Sequence, residues 1–281
     1  MQVIKSVAEI REIVKEKQKN GKMVGFVPTM GALHKGHLSL VSSSKKDNDI
    51  TVVSIFVNPT QFNDKEDLKN YPRMLDNDIQ LLAPLNVDFI FAPTEEEMYP
   101  EPDERDFDFG NLDKVMEGAH RPGHFRGVAQ IVSKLFAAIP ANRAYFGDKD
   151  FQQVAVIKAM VKQLDIPIKI IPCPIVREED GLALSSRNLR LNSTQRANAP
   201  LIYSTLKMSR EFAQNNTIED TRKWVCSTID ANSELKTEYF EIVDENTLCP
   251  VKSWEEQGNK VGCIAVQVGE IRLIDNIRFN L

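Results

Sequence analysis

The chain has 281 residues, of which 42% are hydrophobic and 27% charged, with a formal net charge of −5. A chain of this length folds as one large domain or two modest ones and buries about three quarters of its unfolded surface, so it needs no disulfide staples. The negative balance disfavours non-specific nucleic-acid binding, and no run reaches the ~18 apolar residues of a membrane span.

The N-terminal stretch MQVIKSVAEIREIVKEK is charged too early for a secretory signal. Ser6 followed by Glu9 has the form of a capping box, Val7, Ile10 and Val14 recur at helical spacing, and Gly21 stands where a helix ends. The pattern predicts a helix over 6–20. KMVGFV (22–27) is a short apolar run of buried-strand type, 37–47 reads as a helix, and 49–58 is a second buried strand rich in Val and Ile. Leu75, Ile79 and Leu82 share one helical face within 74–85, and 87–93 is a third strand. PTEEEMYPEPDERD (93–106) is acidic and proline-rich and reads as an exposed loop.

A strongly apolar helix is expected over 125–139, a strand over 143–148, a helix over 151–164 and a proline-broken strand over 166–176. This alternation predicts an α/β fold, a Rossmann-like, doubly wound parallel sheet with helices on both faces. Past residue 177 the pattern changes. Helical stretches over 193–215 and 218–233 precede strands at 237–244, 262–269 and 270–279, the last two joined by a tight turn at Gly269–Glu270. The division expected is a Rossmann-like domain over 1–177 and a smaller C-terminal α+β lid domain over 178–281. The four cysteines, Cys173, Cys226, Cys249 and Cys263, form no C-x-x-C pair, which argues against structural zinc and fits reduced thiols of a cytoplasm.

The residues that carry chemistry fall at strand ends. GFVPTMGALHKGHLSLV (25–41) places His34 and His37 in a glycine-bearing turn between a strand and a helix. That is the carboxyl edge of a doubly wound sheet, where ligands bind. Gly31 permits close backbone approach, helix-opening N–H groups point at the same place, and a histidine can stabilise phosphate charge. Two histidines one turn apart also have the form of zinc ligands, but no third ligand is evident. His120 and His124 lie in a second such turn with Arg121 and Arg126, either an anion-facing loop or a solvated basic one. Gly147, Asp148, Lys149 and Asp150 end the fourth strand; Lys149 suits phosphate and Asp150 a ribose hydroxyl, or the aspartate is a helix cap. Ser185, Ser186 and Arg187 suit a polyphosphate, or form a polar linker. The amides of Gln61 and Gln153 suit the hydroxyl and carboxylate groups of a polar substrate.

In combination, PTMGALHKGH (28–37), FVNPTQF (56–62), YPR (71–73), RPGHFRGV (121–128), FGDKD (146–150), DGLALSSRN (180–188) and RLIDN (272–276) resemble the pantothenate synthetase, or pantoate–β-alanine ligase, family. The resemblance covers essentially the whole chain. The histidine motif alone is shared with adenylyl- and cytidylyltransferases and class I aminoacyl-tRNA synthetases. The resemblance implies that ATP and (R)-pantoate form pantoyl adenylate and pyrophosphate, and that β-alanine then displaces AMP. It makes 1–177 the nucleotide- and pantoate-binding domain. It implies that His34, His37, Lys149, Ser185, Ser186 and Arg187 balance the phosphate charge, with His37 a proton donor. ATP is implied to contact Met30, Gly31, Ala32, Leu33, His34, Lys35, Gly36 and His37, then Gly147, Asp148, Lys149, Asp150, Val176, Leu184, Ser185, Ser186 and Arg187. Gln61 is implied to meet pantoate and β-alanine, and Gln153 pantoate. Glu179 and Leu184 stand where the family often has a small residue and a methionine. Mg2+ travels with ATP and no metal residue is assigned, Asn77 departing from a carboxylate in the Asp76–Asn77–Asp78 stretch. A cytoplasmic homodimer without nucleic-acid or membrane partners is expected. Two other readings remain: an adenylyltransferase of the same superfamily, which leaves AMP on its product, and a catalytically silent nucleotide-binding protein.

Overall fold

The computed structural model describes residues 1–62 and 65–280. In chain order the first elements are β1 (Gln2–Ile4), α1 (Val7–Lys19), β2 (Val24–Thr29), α2 (Lys35–Asp47), β3 (Ile50–Ile55), α3 (Lys65–Lys69), α4 (Leu75–Leu82), β4 (Phe89–Phe91) and α5 (Glu95–Met98). Next come α6 (Glu117–His120), α7 (His124–Ala138), β5 (Arg143–Gly147), α8 (Phe151–Gln163) and β6 (Lys169–Cys173). The chain closes with α9 (Ser193–Asn198), α10 (Leu201–Ala213), α11 (Ile218–Asp230), β7 (Leu235–Asp244), β8 (Lys260–Val268) and β9 (Ile271–Phe279). Two compact units result. The first takes in Met1–Asp113, Arg121–Asp148 and Gln153–Pro174; the second takes in Lys114–His120, Lys149–Gln152 and Ile175–Leu281.

The first unit is the expected Rossmann-like layer. Six strands run parallel in the order β1-β4-β3-β2-β5-β6. Both sheet faces are covered, which explains the continuous apolar runs. Phe26 and Val52 pack with Ile10, Val14, Phe136 and Ile157 from α1, α7 and α8, whereas their neighbours Val27 and Val53 join Leu40, Val41 and Leu82 from α2 and α4. Successive strand residues face opposite ways, so one strand serves two cores. The strand order reverses between β2 and β5, and that reversal fixes where a ligand crevice opens, beyond their carboxyl ends.

Three sequence expectations change. The short edge strand β1 has no predicted counterpart, because only Ile4 of its three residues is buried and no alternation is visible in so short a run. The helix expected over 193–215 is two helices, α9 and α10, divided at Pro200. A proline has no N–H to continue an α9 ladder but begins a new helix readily. The acidic stretch 93–106 contains one short turn, α5, capped by Thr94 Oγ1.

The second unit contains an antiparallel sheet in the order β7-β8-β9, with the tight turn at Gly269 (φ +58°) between the last two strands. Leu206 of α10 and Val225 and Ile229 of α11 pack on Phe240, Ile264, Leu273 and Ile277. Among the described residues no helix is long and apolar enough to cross a membrane.

Candidate active site

The loop leaving β2 lies at the reversal of strand order and is held by side chains on three elements. Thr29 Oγ1 donates to the Ser54 carbonyl at 2.7 Å and accepts the Gly31 N–H at 3.2 Å. Asp78, fully buried on α4, accepts the N–H groups of Ala32 at 3.0 Å and Leu33 at 2.7 Å. Burial raises the Asp78 carboxyl above its ordinary value, while the two amides pull it down. Gly31 has φ +81°, and a Cβ there would stand 2.9 Å from Asp78 Oδ2, so both backbone conformation and space require glycine.

His34 and His37 form a reciprocal cap on α2. His34 Nδ1 accepts the Gly36 N–H at 3.2 Å, and His37 Nδ1 accepts the His34 N–H at 3.3 Å. An Nδ1 that accepts a hydrogen bond cannot carry the proton of a neutral imidazole, so each neutral ring bears it on Nε2. The rings lie 4.1 Å apart, centroid to centroid. The N–H groups of residues 31 to 34 and 36 all have acceptors within the protein. Of the N–H groups that open α2, that of Gly36 is thus taken by His34 Nδ1.

Gln61 closes a 3-10 turn, Pro59–Gln61, after β3. Its Nε2 meets Met30 Sδ at 3.1 Å, and its Oε1 accepts from Asn58 Nδ2 at 3.3 Å. Buried Asn58 also donates to the Gly127 carbonyl at 3.2 Å and accepts from the Tyr99 hydroxyl at 2.7 Å. His124 Nδ1 donates to the Gln61 carbonyl at 2.8 Å, and Arg121 Nη1 donates to His124 Nε2 at 3.1 Å. A Cβ on Gly127 would collide with the Thr60 carbonyl. The second histidine turn thus supports the Gln61 backbone; this is what the structure shows for its His124–Arg121 pair. His120, by contrast, belongs to the second unit, where its ring stacks on Tyr239 at 5.3 Å.

The two glutamines that open α8 have different tasks. Gln152 is buried, accepts the Glu117 N–H at 3.0 Å and donates to the Val115 carbonyl at 2.8 Å. Gln153 is half-buried, and its side-chain amide has no partner among the described residues. Gly147 ends β5, beside β2, and Asp148 directly after it is buried.

In the second unit, Lys149 Nζ lies 3.6 Å from Asp150 Oδ1. Asp150 stands inside the 3-10 turn that runs straight into α8, rather than as a separate N-cap. Residues 176–184 double back on themselves: Leu184 N–H donates to Val176 O at 3.0 Å, and Arg177 bridges to Ala183. This hairpin delivers Ser185, whose Oγ accepts the Arg187 N–H at 3.3 Å and caps the 3-10 helix Ser186–Arg190. Lys149 and Ser185 line one small cavity.

Asp78, Asn58 and Gln152 support the candidate site through backbone contacts that the motifs did not assign to them. Asp78 had a signal, since it occupies the apolar face set by Leu75, Ile79 and Leu82, where an unpaired carboxylate is costly. Which amides it meets has no trace in the sequence.

A family profile described as Pantoate-beta-alanine ligase matches residues 2–278. Pantothenate synthetase of Bacteroides thetaiotaomicron is 57% identical over 279 residues, 99% of each chain. The crystal structure of pantothenate synthetase from Thermus thermophilus superposes with a TM-score of 0.92 at 43% identity, over 99% of each chain. Pantoate-beta-alanine ligase from Francisella tularensis, crystallised with beta-gamma ATP and β-alanine, gives a TM-score of 0.81 at 38% identity, over 99% of this chain and 97% of that one. The chain belongs to the pantoate-beta-alanine ligase family.

Proposed function

We infer that the protein condenses (R)-pantoate with β-alanine to give pantothenate at the expense of ATP. The observation that carries this reading is the family match along the whole chain, with the motifs at 28–37, 56–62 and 146–150 standing at the carboxyl ends of β2, β3 and β5. A free carboxylate is a poor electrophile at neutral pH. The pantoate carboxylate oxygen attacks the α-phosphorus of ATP, the bond between that phosphorus and the α,β-bridging oxygen breaks, and pyrophosphate leaves. The β-alanine amine then attacks the acyl carbon of pantoyl adenylate, loses a proton, and AMP departs with the electron pair of the broken C–O bond. No protein nucleophile enters either step.

The residue roles follow the charge. The Nε2–H groups of His34 and His37 donate to phosphate oxygens as negative charge moves onto pyrophosphate, with His37 a proton donor. Met30 to His37, Gly147 and Asp148 form ATP contacts of the first unit. Lys149, Asp150, Val176 and Leu184 to Arg187 are those of the second. The Gln61 amide, beside Met30, addresses pantoate and β-alanine, and the Gln153 amide addresses pantoate.

Mg2+ comes with ATP, because magnesium keeps most of its water and takes few protein ligands. The Asp78 carboxylate is already engaged by two amides, and Asp76 beside it is exposed, so no protein ligand is assigned in that stretch. Among the described residues no three His, Cys, Asp or Glu side chains form a metal cage. The proposal extends to a cytoplasmic homodimer, supported by the family resemblance and by four cysteines without disulfides; sedimentation equilibrium measures the oligomer.

The test is a product analysis with ATP, pantoate and β-alanine. Equal yields of AMP and pantothenate are expected, and labelled pyrophosphate should enter ATP with pantoate alone. An adenylylated end product would identify a nucleotidyltransferase instead, and exchange that strictly requires β-alanine would exclude a reversible adenylate step.

A further inference from the structure

The last strand carries polar side chains that the reaction above does not use. On β9, Ile271, Leu273, Ile277 and Phe279 belong to the core of the second unit, and Asp275 stands in that same alternating row. Asp275 is 5% exposed. A buried carboxylate among apolar residues costs stability unless paired, and a well-packed apolar residue would do as well or better there. Its presence therefore calls for a positional reason. Asp275 receives both arms of Arg177, at 2.6 and 2.9 Å. The same guanidinium donates to the Gly181 carbonyl at 3.2 Å and lies over the Tyr203 ring at 3.6 Å.

The next residue points to the other side of the strand. Asn276, 3% exposed, donates from Nδ2 to the backbone carbonyl of Lys149 at 3.1 Å. Two consecutive β9 residues thus hold two chain segments far away in sequence. One is Lys149 itself. The other is the hairpin that delivers Ser185, through Arg177, its bridge to Ala183 and the Leu184–Val176 hydrogen bond. Asn188 strengthens the exit by donating to the Ala183 carbonyl at 3.0 Å. Lys149, Ser185 and Asp275 line the same small cavity. Near the start of β9, Arg272 grips buried Glu117 at 2.6 and 2.7 Å, and Gln152 ties the Glu117 N–H to the Lys149–Gln152 segment.

We propose that Asp275 and Asn276 are positioning residues, which fix Lys149 and the Ser185–Arg187 turn for the adenylation step. The proposal rests on the reading that Lys149 and Ser185 bind ATP phosphates. A misplacement near 1 Å costs a reaction up to about a hundredfold, so one lost hydrogen bond to the Lys149 backbone can matter without unfolding the sheet.

The experiment compares Asn276→Ala with Lys149→Ala and the wild type in two separate half-reactions. One is pantoate-dependent ATP–pyrophosphate exchange; the other is pantothenate formation from synthetic pantoyl adenylate and β-alanine. We expect Asn276→Ala to slow exchange about tenfold or more and to raise the ATP KM. The pantoate KM and the second half-reaction should stay within about twofold, because pyrophosphate has already left. Equal losses in both half-reactions, or wild-type exchange in a folded variant, would overturn the positioning role. Exchange left intact by Lys149→Ala would instead sink the phosphate reading beneath it, whatever Asn276→Ala does. Should Asn276→Ala not fold, Asn276→Ser and Asp275→Asn supply the same comparison with smaller changes of shape.

Discussion

His34 and His37 cap each other's turn through Nδ1, at 3.2 Å to the Gly36 N–H for one ring and 3.3 Å to the His34 N–H for the other. Cap and proton donor are thus different nitrogens of one ring, and a structural and a chemical role coexist. The roles separate by substitution. Asparagine at 37 keeps an acceptor near the Nδ1 position and has nothing at Nε2. His37→Asn should hold its melting temperature within a few degrees and lose about a hundredfold in adenylation kcat, the scale of a lost charge-stabilising donor. Near-normal single-turnover adenylation at saturating substrates would leave His37 with the cap alone.

The adjacent glutamines of α8 give a second contrast. Gln152→Ala strands the Glu117 N–H and the Val115 carbonyl in a buried place and should cost about 1–3 kcal/mol in urea unfolding. Gln153→Ala should leave stability unchanged and raise the pantoate KM strongly, with ATP binding intact. A normal pantoate KM for Gln153→Ala would remove that residue from the substrate site.

Gly127 sets how closely α7 approaches the turn that carries Gln61. Gly127→Ala puts a methyl into the Thr60 carbonyl, and overpacking of this kind costs roughly 1–3 kcal/mol. Because Thr60 is next to Gln61, we expect the pantoate KM to rise along with the loss of melting temperature. A variant destabilised to that degree, yet with unaltered substrate KM values, would show that the turn relaxes without moving the amide.

Acid sensitivity has an identifiable source in the 93–106 stretch. The Arg105 guanidinium, hydrogen-bonded to Asp103 at 2.6 and 2.9 Å, with burial opposing, holds the Asp103 carboxyl down at about 2. Relative to the ordinary value of 3.8, this is a depressed folded-state pKa, so the stability it lends is present above pH 3.8 and lost as pH falls toward 2. Asp103→Asn should reduce stability at pH 7 by at most about 2 kcal/mol, less for the solvent around half-exposed Arg105. The gap from wild type should close below about pH 4. Equal gaps at pH 7 and pH 3 in denaturant titrations would contradict the assignment.

The sequence by itself determined the alternation of strands and helices, the change of pattern after residue 177, and the turns in which His34, Gln61, Lys149 and Ser185 stand. These are local matters. Buried strands announce themselves as apolar runs, and caps and glycine turns use chemistry within a few residues. The helix expected over 193–215 divides for a local reason too, since Pro200 outweighs the apolar periodicity around it. Only the tertiary structure decided the strand order, with its reversal between β2 and β5, and the edge strand β1, whose pairing partner β4 lies far along the chain.

It also decided which polar residues support the site. Asp78 reaches residues 32 and 33, Asn58 reaches residue 127, and Asn276 reaches residue 149. Their targets are backbone N–H and C=O groups, which nearly every residue type carries alike. A backbone group leaves no mark in the sequence of the partner it selects, so such contacts become visible only when packing brings the two segments together.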